Sequence, residues 1–180
     1  MRVFVAVSPP EHAIGHLAGA VDGCVGLPGA PRWTPAERWH LTLAFLGEIE
    51  ESTMDRIAAR LDTVTGVSLR LAIEGAGTFP ERGEPRVLWA GLSGDIAALE
   101  SLAKRIRIAV RAARITLERR PFRPHLTLGR WRPGDPSGLG VLTALREYRG
   151  PEFEVTRFSL IRSHLGPQPR YEVLREWPLH

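Results

Sequence analysis

The tetrapeptide His-Leu-Thr-Leu occurs at 40–43 and again at 125–128. A chain of this composition is expected to hold about 0.005 chance copies of it, so the recurrence is not incidental. In an extended strand, residues i and i+2 face the same side. His40 and Thr42 are therefore displayed together, while Leu41 and Leu43 turn the other way to anchor the strand; His125 and Thr127 repeat the pattern. An imidazole, with an unperturbed pKa of ~6.5, can give or take a proton near neutral pH. A threonine hydroxyl beside it can donate to an anionic oxygen, and its β-branch restricts χ1 so that the donor is pre-aimed. If the two strands converge, two histidines and two threonines surround one small tetrahedral group, and a phosphate is such a group. Opening a cyclic phosphodiester needs a base to deprotonate water and an acid to protonate the departing oxygen, which a histidine pair supplies.

Other readings of these residues stay open on sequence grounds. Two similar strands could merely expose their histidines. A zinc site would need three or four ligands, and no cysteine or nearby carboxylate joins this pair. Strict alternation from His125 turns Arg130 to the leucine face; it reaches the histidine side only if the strand bulges or ends near Gly129. Trp39 and Phe45 read as core rings, with stacking on a nucleobase as the alternative. Phe122 reads as a core ring and Arg123 as a surface charge. His12, His16, His164 and His180 fall outside any pattern and read as surface residues. Cys24, the one cysteine, reads as a packing residue.

Positioning the two motifs requires a framework, and the periodicities supply one. Residues 3–7 alternate as a strand and 10–25 read as a helix, followed by a turn-rich stretch over 26–35. The first motif strand spans 40–47. Residues 50–64 read as a helix with Ile57, Leu61 and Val64 on one face. Strands are expected over 67–78 and 86–92. Asp95 reads as the cap of a helix reaching about residue 113, with a stripe of Ile96, Leu99, Leu102, Ala103, Ile106 and Val110. After the second motif strand come a short helix near 139–148 and a closing hairpin of 153–162 and 170–177. Such an alternation implies an α+β fold with a largely antiparallel sheet. No linker is long enough to divide residues 1–180 into independent domains.

Bulk properties narrow the setting. The chain has 180 residues, 43% hydrophobic and 24% charged, which is ordinary for a globular protein and excludes wholesale disorder. A single cysteine rules out an intramolecular disulfide and suggests a reducing compartment. The apolar run at the amino terminus is closed at once by Pro9 and Pro10, too early for a secretory core, and no run approaches the ~20 residues that span a bilayer. The expectation is a cytoplasmic protein with no membrane association, and a monomer by default. The net charge of +4 suits a polyanionic partner. All but one of the 24 basic side chains are arginine, Lys104 being the exception. Arginine grips phosphate through a planar fork, but GC-rich codon usage would give the same bias without any function and is the favoured reading for most of them.

The paired motifs resemble the two His-x-Thr-x signatures of the 2H phosphoesterase superfamily, in particular its RNA 2′,3′-cyclic phosphodiesterase branch, the 2′-5′ RNA ligase-like proteins. The likeness extends to Arg-Val-Phe-Val-Ala-Val at 2–7, Trp-His-Leu-Thr-Leu-Ala-Phe-Leu-Gly at 39–47, Arg-Val-Leu-Trp-Ala-Gly-Leu at 86–92 and Phe-Arg-Pro-His-Leu-Thr-Leu-Gly-Arg at 122–130. The resemblance implies a bilobal α+β fold of pseudo-two-fold duplicated antiparallel sheets and flanking helices around a central cleft. It implies hydrolysis of 2′,3′-cyclic phosphate RNA ends, and of 2′,3′-cyclic nucleotides, to 2′-phosphates without a metal or other cofactor. His40 would be the proton donor, His125 the acceptor, Thr42 and Thr127 their partners and Arg130 a substrate phosphate clamp. The same acid–base pair would serve the reverse 2′-5′ joining reaction. A non-catalytic module that binds RNA ends is the alternative.

Overall fold

Val3, Val5 and Val7 are separated by Phe4 and Ala6, and this alternation sorts the two sides of the first strand, β1 (Arg2–Val7). The three valines enter a core of 40 buried residues, whereas Phe4 and Ala6 join Ile161 in a small second cluster on the opposite face. β1 thus separates a helix-covered side from a cleft side, a distinction that runs through the molecule. The computed structural model describes residues 1–180.

The remaining elements are α1 (Glu11–Asp22), β2 (Arg32–Trp33), β3 (Leu41–Glu48), α2 (Met54–Leu61), β4 (Leu69–Phe79), β5 (Val87–Gly94), α3 (Ile96–Ala112), β6 (Leu126–Arg130), α4 (Leu139–Arg146), β7 (Arg149–Val155), β8 (Arg157–His164) and β9 (Arg170–Pro178). The nine strands form one antiparallel sheet in the order β7-β4-β5-β6-β3-β1-β8-β9, with β2 beside β6. The architecture is α+β. Four strands lie on each side of the centre, where β3 and β6 meet through a single residue pair, Leu41 with Leu126. The two halves are one continuous ladder rather than two separate sheets.

The helices exchange sides. α1 follows β1 but packs against β7 and β4 of the other half; α3 follows β5 but packs against β3 and α2. In α3 the expected stripe is buried at Leu99, Leu102, Ala103, Ile106 and Val110. Burying those five side chains removes each from water at about 1.5–3 kcal/mol per large aliphatic group, so the exchange binds the halves strongly. Ile57, Leu61 and Val64 are buried as the pattern implied, although the α-helix proper is shorter than 50–64 and opens on a 3₁₀ turn at Glu51–Thr53.

Three local expectations are corrected. The segment 153–162 is not one strand: it breaks at Thr156 into β7, which pairs with β4, and β8, which pairs with β1, at opposite ends of the sheet. Asp95 stands at the start of α3 but does not cap it; its Oδ2 accepts the backbone N–H of Arg70 at 2.8 Å, tying the helix start to β4. The turn-rich stretch contains the two-residue β2. Cys24 is buried, as a packing residue should be, and burial pushes its thiol pKa up.

Candidate active site

His40 and His125 each stand one residue before a motif strand, and the leucines on either side of the threonines are fully buried. His40, Thr42, His125 and Thr127 are half-buried, so the period-2 pattern separates anchors from displayed groups in both halves. The Leu41–Leu126 pair sits on the pseudo-two-fold axis. Because the strands run antiparallel, His40 and Thr127 lie to one side of that pair and Thr42 and His125 to the other. Each histidine is therefore on the same side of the pair as the other motif's threonine, and the two rings are close enough for the charge of His125 to act on His40.

Both rings are held the same way. His40 Nδ1 lies 2.7 Å from the carbonyl oxygen of Arg38, and His125 Nδ1 lies 2.6 Å from that of Arg123. A carbonyl only accepts, so Nδ1 carries the hydrogen in each ring and Nε2 is the nitrogen left for chemistry. Aromatic walls complete each site. Phe4 stacks on His40 with centroids 4.6 Å apart, and Tyr171 meets it edge-on at 5.1 Å. Phe79 meets His125 edge-on at 5.0 Å, with Trp89 at 6.5 Å. The Trp89 indole lies flat over Gly77, where a Cβ would come within 2.2 Å of a ring carbon, so glycine is required there.

Burial in these walls depresses both histidine pKa values below the ordinary value. The backbone acceptors oppose the shift, and positive charge adds to it, from His125 on His40 and from Arg130 on His125. The depressed values favour the neutral form of both imidazoles.

The leucine that ends each motif forms a bulge. Against β5, Trp89 pairs with Thr127 and Leu88 with Gly129, so Leu128 is an extra residue; against β1, Ala6 pairs with Thr42 and Val5 with Ala44, so Leu43 is extra. The extra residue reverses the alternation. Arg130 pairs with Val87 and thereby shares the face of Trp89 and Thr127, which meets the condition that strict alternation denied it. The same shift corrects the reading of Phe45. It pairs with Phe4 on the cleft face, is 42% exposed and lies under the guanidinium of Arg2 at 4.9 Å. Trp39, in contrast, is a core ring whose Nε1 donates to the Thr34 carbonyl at 2.9 Å.

The other sequence candidates fall outside the cleft. Arg123 is exposed and paired with Glu81 at 3.2 Å, and Phe122 packs at the core margin. His12, His16 and His180 are exposed, while His164 is half-buried and paired with Glu172 at 2.6 Å. No group of three or more His, Cys, Asp or Glu side chains is placed to hold a metal ion. Phe4, Phe79, Trp89 and Tyr171 are site residues that sequence reasoning did not assign; of these, only Phe4 carried a signal, as the odd ring between alternating core valines.

Comparison with known proteins agrees with this geometry. The sequence model of the 2′-5′ RNA ligase superfamily matches residues 9–167. The RNA 2′,3′-cyclic phosphodiesterase of Archaeoglobus fulgidus is 32% identical, over 97% of this chain and 98% of that one. The Geobacillus stearothermophilus protein of the same name is 34% identical over 98% of this chain, which spans 56% of its length. The crystal structure of E. coli LigT complexed with 3′-AMP superposes with a TM-score of 0.80 at 27% identity, covering 99% of this chain and 97% of that one. A profile match across most of the sequence, a relative of matching length and one shared fold leave a single assignment: the chain belongs to the 2′-5′ RNA ligase superfamily.

Proposed function

We propose that the protein is a phosphodiesterase that opens 2′,3′-cyclic phosphate ends of RNA, and 2′,3′-cyclic nucleotides, to 2′-phosphates. The observation that carries this reading is the pair of histidines, each anchored through Nδ1 to a backbone carbonyl with Nε2 free, on the two sides of the Leu41–Leu126 pair. His125 Nε2 takes a proton from water as the water oxygen bonds to phosphorus. The P–O3′ bond breaks, and His40 Nε2–H delivers its proton to O3′. The Thr42 and Thr127 hydroxyls donate to the two non-bridging oxygens, and Arg130 adds positive charge on the same face. Attack and departure on opposite sides of phosphorus match histidines on opposite sides of a pseudo-two-fold axis. The turnover ends with His125 protonated and His40 neutral, and exchange with solvent restores the starting state.

The working form in this reading is a cytoplasmic monomer acting on RNA as one domain, 1–180, braced by its exchanged helices. No helix of the structure is long and apolar enough to cross a membrane. The reading needs no metal. Pure protein with EDTA and 2′,3′-cyclic AMP is expected to yield 2′-AMP, identified by mass and phosphorus NMR, at the rate seen without chelator. Binding without turnover would select the RNA-end binding module instead, and a 3′-phosphate product would reverse the substrate's orientation.

The pH dependence follows from the depressed pKa values. Catalysis needs one imidazole neutral and one protonated, so kcat/KM is bell-shaped with its optimum midway between two macroscopic pKa values of the free enzyme. Both are lowered by burial, which places that optimum on the acid side of ~6.5, the ordinary histidine value. A bound phosphate anion favours the protonated ring and raises the values in the complex, so the kcat profile lies at higher pH than the kcat/KM profile. Initial-rate profiles of both parameters, taken across about pH 4–10 to bracket the ordinary histidine value, check this. A rate that rises steadily into alkali would remove the acid histidine.

A further inference from the structure

The catalytic centre is nearly symmetric, but its two ends are not. Arg130 and Phe45 occupy equivalent places, each five residues past its motif histidine and each returned to the cleft face by the bulge at the last motif leucine. Beyond Arg130 lies an element with no counterpart in the other half, the two-residue β2. There Arg32 pairs directly with Arg130, and Trp33 pairs with Gly129. Trp33 packs against the core, so Arg32 faces the cleft with Arg130, and both side chains are exposed.

Two like charges directly opposite on adjacent strands repel, and their Cα atoms are separated by only ~5 Å. Neither guanidinium has a carboxylate partner or any side-chain hydrogen bond within the protein to offset that repulsion; the arginines in ion pairs are Arg86, Arg120, Arg123, Arg149, Arg157 and Arg175. A cyclic phosphodiester carries one negative charge, which protonated His40 and Arg130 already face. The second guanidinium calls for a second anion. On an RNA end whose terminal phosphate sits between the histidines, the nearest other anion is the phosphodiester on the 5′ side of the terminal nucleotide.

We infer that Arg32, seated beside Arg130 on β2, binds the 5′-side phosphate of the terminal nucleotide, so that the enzyme recognises an RNA end in preference to an isolated cyclic nucleotide. This rests on the hydrolase reading for the identity of the substrate. A planar fork suits the task better than an ammonium, because it can take two phosphate oxygens at once. It also gives a two-fold centre a direction: the strand enters over the arginine pair, which fixes which ribose oxygen meets His40.

The test uses product-like ligands, so that it does not depend on turnover. Calorimetry at low salt compares adenosine 2′,5′-bisphosphate with 2′-AMP on the wild-type protein, Arg32→Ala and Arg32→Lys. The wild type is expected to prefer the bisphosphate by about tenfold or more, the size of one charge-assisted contact. Arg32→Ala should reduce that preference to within about twofold while 2′-AMP affinity holds, and Arg32→Lys should retain part of it. Circular dichroism checks folding; the substitution leaves the backbone bonds of β2 in place. No preference in the wild type, a preference that survives Arg32→Ala, or an equal loss for both ligands would each overturn the assignment. Failure to turn over 2′,3′-cyclic AMP would remove the hydrolase reading and leave this binding comparison intact.

Discussion

Replacing His40 or His125 by alanine is expected to lower kcat on 2′,3′-cyclic AMP by at least about 10²-fold, the low end for a general acid or base. The double variant should be little worse than either single one, because a proton that cannot be taken or cannot be delivered stops the same step. The ring anchors permit a sharper version. Asparagine in place of either histidine presents an amide N–H where Nδ1–H stood, so His40→Asn can keep the bond to the Arg38 carbonyl and His125→Asn the bond to the Arg123 carbonyl. Both lose Nε2. If Nε2 is the working atom, the asparagine variants are as inactive as alanine while folding better. An asparagine variant near wild-type activity would show that the histidines serve only as local struts.

The threonines should rank second. Thr42→Val and Thr127→Val keep the β-branched shape and delete the hydroxyl, and each is expected to cost roughly 10–10³-fold in kcat, the range for losing one donor to a developing oxyanion. Serine keeps the donor without the extra methyl group, so Thr→Ser should retain far more activity than Thr→Val. Equal damage from valine and serine would point to packing. Because Thr42 and His125 lie on one side of the Leu41–Leu126 pair and Thr127 and His40 on the other, the two substitutions should perturb different limbs of the pH profile, the basic member with Thr42 and the acidic member with Thr127.

Much of this was legible in the sequence, because the repeated motif and the apolar stripes are local patterns. β1, β3, α3 and the two histidine–threonine pairs follow from spacings of two, three and four residues. What escaped was non-local or too short to have a period. β2 has two residues and exists only because β6 offers it an edge. The break at Thr156 did leave a trace, since core residues shift from odd positions, Phe153 and Val155, to even ones, Phe158 and Leu160. The carboxylate of Asp95 went to Arg70 because β4 brings an N–H there, and nothing near residue 95 announces that. Phe45 was read as core because an apolar run cannot reveal a bulge. The walls formed by Tyr171 and Phe79 come from strands far along the chain, and the Nδ1 anchors depend on a 3₁₀ turn ending at Arg38 and on irregular backbone at Arg123.

The exchange of α1 and α3 between the halves bears on how such a protein can arise. A half-length chain with one strand–helix–strand unit would hold one histidine, one threonine and a helix with no strands of its own to cover. It could bury that helix, and assemble an acid with a base, only by pairing with a second copy. A single chain keeps the exchanged helices in place, with β8 and β9 from its far end completing the half that holds β1 and β3, and lets the two halves differ. Phe45 now stands where its twin has Arg130, and only one half keeps a β2. A paired centre built from identical subunits would have to treat both directions of a strand alike; a fused one can tell the two ends of its substrate apart.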